Sequence, residues 1–269
     1  MNLSWPFRSL RQGGGAKSRL IFALDVASVA EVKKYVALLA DEVGLFKVGK
    51  QLFLHAGPQV VRQIQDQGGQ VFLDLKFHDI PRTVAKAGVE ATRLGVRMFN
   101  VHASGSLEMM RHTLTEVNKV CRAENLRRPK ILAVTVLTSL NKDDLKRTGI
   151  VTGVENQVVR LAKLAKEAGM DGVVASPLEI VRIRRECGHN FLLVVPGVRS
   201  HGESWDDQKR VLTPEEAMRS GADYLVVGKP IRDAADPRAA ARQIAKEIEQ
   251  GCTPPSGRGV RLFRSGASR

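Results

Sequence analysis

The sequence predicts a single-domain α/β protein, a (β/α)8 TIM barrel with flexible basic termini, and three observations carry that prediction. Eight short apolar runs rich in β-branched residues recur at 20–25, 45–50, 71–76, 98–103, 131–137, 172–176, 191–197 and 224–229. Such runs suit strands buried on both faces. Segments with helical periodicity separate them, and eight strand–helix units with right-handed crossovers close naturally into a barrel. The competing fold is an open doubly wound sheet. It would place a G-x-G-x-x-G turn after the first strand, whereas that run ends Phe22-Ala23-Leu24-Asp25. At 269 residues the chain has the length of one such domain. We assign the barrel to residues 19–250, flanked by flexible extensions over 1–18 and 251–269.

The first helix is expected after Ser28-x-x-Glu31, which has the form of a capping box, with Val32, Val36, Leu39, Ala40 and Val43 on one face. A later start, Thr213-Pro214-Glu215-Glu216, combines a cap, a proline at the first helical position and a glutamate at the third, and Gly221 supplies a stop. Gly13-Gly14-Gly15 and Thr253-Pro254-Pro255-Ser256-Gly257 read as flexible segments outside the fold.

The net charge of +14 invites a nucleic-acid reading, so its location matters. Residues 1–19 carry four basic and no acidic residues, and residues 251–269 repeat that balance. More than half of the surplus therefore sits at the ends. What remains suits an anionic metabolite, and with 5% aromatics the chain lacks the aromatic-interleaved basic stretch of a single-strand binder. Cys121, Cys187 and Cys252 form no C-x-x-C pair, which fits a reducing cytoplasm and neither a zinc site nor a disulfide framework. The N-terminus lacks an apolar signal core and no run approaches the roughly 18 apolar residues of a membrane span. A soluble cytoplasmic protein is expected.

In a barrel the chemistry belongs at the C-terminal ends of the strands. Asp25 ends the first run, Lys47 lies in the second, Asp74 and Lys76 in the third, Asn100 and His102 in the fourth. The fifth passes Thr135 toward Thr138-Ser139. If 71–76 is extended, the period of two sets Asp74 and Lys76 on one face, and Asp79 follows where the strand becomes a loop. An ammonium between two carboxylates keeps its proton and suits an acid better than a base. A salt-bridged barrel end accounts for the same spacing equally well. The last two loops offer Gly197, Arg199, Gly228 and Lys229. Ordinary glycine turns would look the same, but beside the acid and lysine cluster they suggest a phosphorylated small substrate.

Over about residues 20–245 these motifs resemble the orotidine 5'-phosphate decarboxylases of the bacterial branch. The resemblance rests on Phe22-Ala23-Leu24-Asp25, Lys47-Val48-Gly49-Lys50, Asp74-Leu75-Lys76-Phe77-His78-Asp79-Ile80-Pro81, Asn100-Val101-His102-Ala103, Val134-Thr135-Val136-Leu137-Thr138-Ser139 and Pro196-Gly197-Val198-Arg199. It implies conversion of orotidine 5'-monophosphate to uridine 5'-monophosphate and carbon dioxide, the last step of de novo pyrimidine synthesis, without a cofactor. Lys76 would protonate C6 and Asp74 would lie beside the departing carboxylate. Asp25 and Lys47 would hold ribose hydroxyls and the charge network, with Thr138 near the pyrimidine. Arg199, Gln208, Gly228 and Lys229 would receive the phosphate. Asp79, Ile80 and Thr83 would enter the neighbouring subunit's site, so the working unit would be a homodimer.

One departure stands out. The family's phosphate loop usually reads Gly-Arg, whereas this chain has Gly228-Lys229, which keeps the charge but not the bidentate geometry. A metal-dependent sugar-phosphate decarboxylase or synthase shares the barrel and a bare Asp-x-Lys. The extended His78-Asp79-Ile80-Pro81 and the Arg199 and Gln208 pair argue against it.

Overall fold

In the computed structural model, which describes residues 15–199 and 212–253, eight parallel strands close into a barrel in chain order. They are β1 (Leu20–Ala23), β2 (Leu45–Gly49), β3 (Val71–Phe77), β4 (Met98–His102), β5 (Lys130–Val134), β6 (Gly172–Val174), β7 (Leu192–Pro196) and β8 (Tyr224–Val227). Closure sets Ile21 of β1 opposite Val226 of β8. Each strand falls within or beside its apolar run. Several runs extend past the ladder, so Asp25 and Leu137 belong to loops rather than strands.

Alternation along the strands builds two cores. Outward residues such as Leu20, Phe22, Phe46 and Phe99 pack beneath the helices. Inward residues Ile21, Leu45, Phe72, Met98, Leu132, Val194 and Val226 fill the lumen. Two residues further along three of these strands, the inward position turns polar: Leu45 is followed by Lys47, Phe72 by Asp74, and Met98 by Asn100. The period of two thus places an apolar plug low in the barrel and a polar layer at its mouth.

The folded body is larger than the sequence-predicted 19–250. A short 3-10 turn, Ala16–Arg19, precedes β1, and the last helix, Pro237–Cys252, runs past residue 250. Gly44 permits the close approach of that turn, since a Cβ there would fall 2.3 Å from the Ser18 carbonyl oxygen. Glu42 explains why both ends are held. Its buried carboxylate meets Lys17 at 2.9 Å and Arg242 at 2.6 Å, and the hydrogen bonds from Arg242 and then Lys17 bring its pKa down to about 2. Gly13, Gly14, residues 254–257 and Gln208 lie outside the described residues.

The helix signals are realised to different degrees. Thr213 and Glu216 form the reciprocal capping box. Ser28 accepts the Glu31 N–H, but the Glu31 carboxylate turns to the Ser28 hydroxyl and the Ala27 N–H. Among the described residues no helix is long and apolar enough to cross a membrane.

Candidate active site

The polar layer at the barrel mouth is a chain of alternating charges. Lys47 Nζ lies 3.1 Å from Asp25 Oδ1 and 3.5 Å from Asp74 Oδ2, and Lys76 Nζ lies 2.7 Å from Asp74 Oδ1. Asp74 is buried, Lys47 nearly so, and Asp25 is open to solvent. Two adjoining hollows share Lys47, Asp74 and Lys76. One of about 200 Å³ includes Asp25 and Lys50; the other, of about 300 Å³, is walled by Val134, Thr138, Ser139, Val174 and Pro196.

The third strand does not run straight through this site. Leu73 pairs with Phe99 and Phe77 with Val101, so β3 advances four residues while β4 advances two. The surplus forms a bulge. Within it Lys76 takes a left-handed backbone, φ 53°, which side chains of L-residues seldom adopt. The two side chains do meet, as period-two reasoning predicts, but through a bulged backbone rather than a regular strand. Asn100, fully buried on β4, accepts the Lys76 N–H at 2.8 Å and donates to Asp74 Oδ1 at 2.7 Å.

Asp79 does not close the cluster within the chain. Its described bond is from the Ile80 N–H, and Asp79, Ile80 and Thr83 are all exposed. The expected ammonium between two carboxylates of one local stretch is therefore an ammonium on one of them, with Lys47 on the other side of that carboxylate. His102, two residues beyond Asn100 on β4, packs against His78 with the rings tilted by 38° and their centroids 5.3 Å apart. Burial first, then the charges of His78, Lys50 and Lys76, hold its pKa down at about 4, so the ring is neutral at ordinary pH.

The phosphate-loop candidates occupy the seam between β7, β8 and β1. Gly197 turns the chain after β7 with φ 81°, and the Arg199 N–H donates to the Leu212 carbonyl at 3.2 Å. Gly228 lies against Asp25, whose Oδ2 would be 3.6 Å from an added Cβ. Lys229 is exposed and opens the short helix Lys229–Arg232. The sequence gives no hint of Arg232, whose Nη1 donates to the Asp25 carbonyl at 2.8 Å and whose Nε and Nη2 pair with Asp233. A larger hollow of about 830 Å³ lies at the opposite end, around Arg19, Lys130, Asp171 and Tyr224. Size does not select the site here, because catalysis in barrels belongs to the C-terminal ends of the strands and this hollow lies at their N-terminal ends.

The model of the orotidine 5'-phosphate decarboxylase / HUMPS family matches residues 18–244. The chain belongs to this family. It is 56% identical over 237 residues to the orotidine 5'-phosphate decarboxylase of Pelobacter propionicus, covering 88% of this chain and 98% of that protein. The decarboxylase of Geobacter sulfurreducens is 55% identical over 236 residues, with the same coverage. Among solved structures, the orotidine 5'-phosphate decarboxylase of Lactobacillus acidophilus aligns over 85% of this chain and 98% of that one, with a TM-score of 0.76 and 37% identity. Of the charged chain, Asp74 and Lys76 lie in the longest of the sequence motifs, and Asp25 and Lys47 in two shorter ones. Asn100 and His102 were visible in the sequence as polar interruptions of an apolar run. Their contacts with Asp74, Lys76 and His78 were not.

Proposed function

We propose that the protein decarboxylates orotidine 5'-monophosphate to uridine 5'-monophosphate, the last step of de novo pyrimidine synthesis. The observation that carries the reading is the Lys76 ammonium held 2.7 Å from the Asp74 carboxylate at the rim of two hollows, in a chain that spans nearly the whole of its decarboxylase relatives.

Breaking the bond from C6 to the carboxylate leaves its electron pair on an sp² carbon with little resonance relief. Catalysis then requires stabilisation that grows as charge develops at C6. Carbon dioxide leaves, a proton passes from Lys76 Nζ to C6, and the amine regains a proton from solvent. Asp74 beside the substrate carboxylate keeps the ammonium in place and disfavours the bound carboxylate. The hollow with Asp25, Lys47 and Lys50 takes the ribose. The less polar hollow with Val134, Thr138 and Pro196 takes the pyrimidine. Arg199, Gln208, Gly228 and Lys229 hold the phosphate, whose distance from C6 makes it a source of positioning energy rather than of chemistry. No cofactor takes part.

Asp79, Ile80 and Thr83 serve the neighbouring subunit of a cytoplasmic homodimer. In support, Ile80 is 66% exposed beside a groove between the helices Pro81–Arg93 and Leu107–Ala123, lined by Ala85, Val89 and His112. Mixing inactive Lys76→Ala and Asp79→Ala chains restores turnover if sites are shared; no recovery counts against it.

The decisive measurement is the ultraviolet loss of orotidine 5'-monophosphate in the presence of chelator, comparing wild type with Lys76→Ala. Failure of the wild type to turn over sinks the proposal. Activity abolished by chelator would return the metal-dependent sugar-phosphate enzymes to consideration.

A further inference from the structure

Asn100 lies at 0% exposure with both ends of its amide engaged. Its Oδ1 accepts the Lys76 backbone N–H at 2.8 Å, and its Nδ2 donates to Asp74 Oδ1 at 2.7 Å. The partners fix the orientation. A flipped amide would face a donor with a donor and a carboxylate with a carbonyl. Asp74 Oδ1 is also the atom that the Lys76 ammonium reaches. One neutral side chain from β4 therefore meets the lysine's main chain and, at a single oxygen, the carboxylate paired with the lysine's head.

The bulge explains why such a group is needed. Between the pairs Leu73 with Phe99 and Phe77 with Val101, β3 leaves the ladder, and the Lys76 N–H finds a side-chain acceptor in place of a strand carbonyl. The left-handed backbone at Lys76 is unfavourable for an L-residue and persists only where its surroundings over-determine it. Asn100 supplies that constraint. The charged and titratable groups in contact with it or one step away are Asp74 and Lys76 on β3, Lys47 on β2 through Asp74, and His102 two residues along its own strand. An amide orients Asp74 without adding a charge to this set.

We propose that Asn100 is a positioning residue for the decarboxylation: by tying the strained Lys76 backbone to the Asp74 carboxylate, it sets the approach of the Lys76 ammonium to the reacting carbon. This rests on the function proposed above. Misplacing a reacting group by about 1 Å can cost on the order of 100-fold in rate. Of the groups that take ribose and phosphate, Lys47 meets Asp74 at the oxygen the amide does not touch, so the loss falls mainly on kcat rather than on KM.

The test is steady-state kinetics across pH on wild type, Asn100→Ser and Asn100→Asp, with melting curves and with active sites counted by uridine 5'-monophosphate binding. For Asn100→Ser the expectation is a fall in kcat of roughly 100-fold per binding-competent site, with KM within about threefold. For Asn100→Asp a second carboxyl beside Asp74 makes one of the pair hold its proton to higher pH, so the acid limb of the kcat profile moves upward. Wild-type turnover with kcat per site within threefold in both variants, and superimposable pH profiles, overturns the role of Asn100 while leaving the function intact. A fall in activity that only tracks the loss of binding-competent sites overturns it equally. No wild-type turnover overturns the function, and this inference with it.

Discussion

The barrel carries buried charge at both ends, and the two ends treat it differently. At the floor, the Arg184 and Asp223 side chains are each only 4% exposed. Arg184 donates to Asp223 and to the carbonyls of Gly188, His189, Phe191 and Gly221. Asp223 in turn accepts the Leu193 N–H. Asp171 likewise takes Arg128, Lys130 and the Ile131 N–H. Main-chain groups consume the capacity of the buried Arg184 and Asp223 pair, as a purely structural charge requires. At the mouth, Asp74 is satisfied by Lys76, Lys47 and Asn100, but Lys76 has one described carboxylate partner and remains 26% exposed toward the hollows. The floor uses ion pairs to close the fold. The mouth keeps an ammonium with donors to spare, which is the state a transition state can use.

The largest effect that separates the two ends is Lys76→Ala. The proton donation and charge stabilisation proposed for Lys76 would disappear together, so kcat is expected to fall by at least about 10⁴-fold. Asp74 keeps Asn100 and Lys47, and the melting temperature stays within a few degrees of wild type. Substrate loss followed in the ultraviolet, beside a melting curve, checks both halves. A variant that melts early but turns over normally would reverse the assignment of the two ends.

Asp223→Ala is the converse. It strands a buried guanidinium and costs about 3–5 kcal/mol of stability, while kcat per folded molecule stays within about twofold. Denaturant unfolding gives the first number and active-site-normalised kinetics the second. An equal fall in kcat would mean that floor and mouth are coupled through the strands.

How much of this contrast can be read from the chain alone depends on sequence distance. The strands are legible because each is an apolar run, and the polar layer follows because Leu45 and Lys47, Phe72 and Asp74, and Met98 and Asn100 are two apart on strands. The Thr213 to Glu216 capping box is local and is realised. The bulge is not legible: nothing between Leu73 and Phe77 announces that two residues leave the ladder. Nor is Arg232 at the Asp25 carbonyl, 207 residues away. The boundary at residue 19 falls short for the same reason, since Lys17 is held by Glu42 and not by its neighbours in sequence.

The pH response distinguishes the ends more gently. His102 at the mouth titrates near 4 in the folded protein against an ordinary 6.5. The unfolded chain therefore binds the extra proton first. The stability contributed by neutral His102 is complete above about pH 6.5 and is shed as pH falls toward 4. Glu42, near the floor, is held at about 2 against 4.5, so its contribution persists to lower pH and is lost between those values. Urea unfolding at pH 7, 5.5, 4.5 and 3 should show His102→Gln flattening the decline above about pH 4 and leaving the decline below it in place. A decline unaffected by that substitution would assign it to other groups.

The smallest effect concerns Lys229. It stands exposed at the start of the helix Lys229–Arg232, beside Gly228 at the β8 to β1 seam. Lysine meets a phosphate as a point charge, whereas arginine offers two parallel donors. Lys229 already supplies the charge at this exposed position, so the gain is that of one further ordinary hydrogen bond, about 1 kcal/mol net or roughly fivefold in affinity. Lys229→Arg should therefore lower KM by about that factor. Because the phosphate is remote from C6 and its contact persists from ground state to transition state, kcat should move by less than twofold. An unchanged or raised KM would mean that the guanidinium gains nothing at this seam. The anion would then rest mainly on the groups after β7, with Arg199 the residue to substitute next.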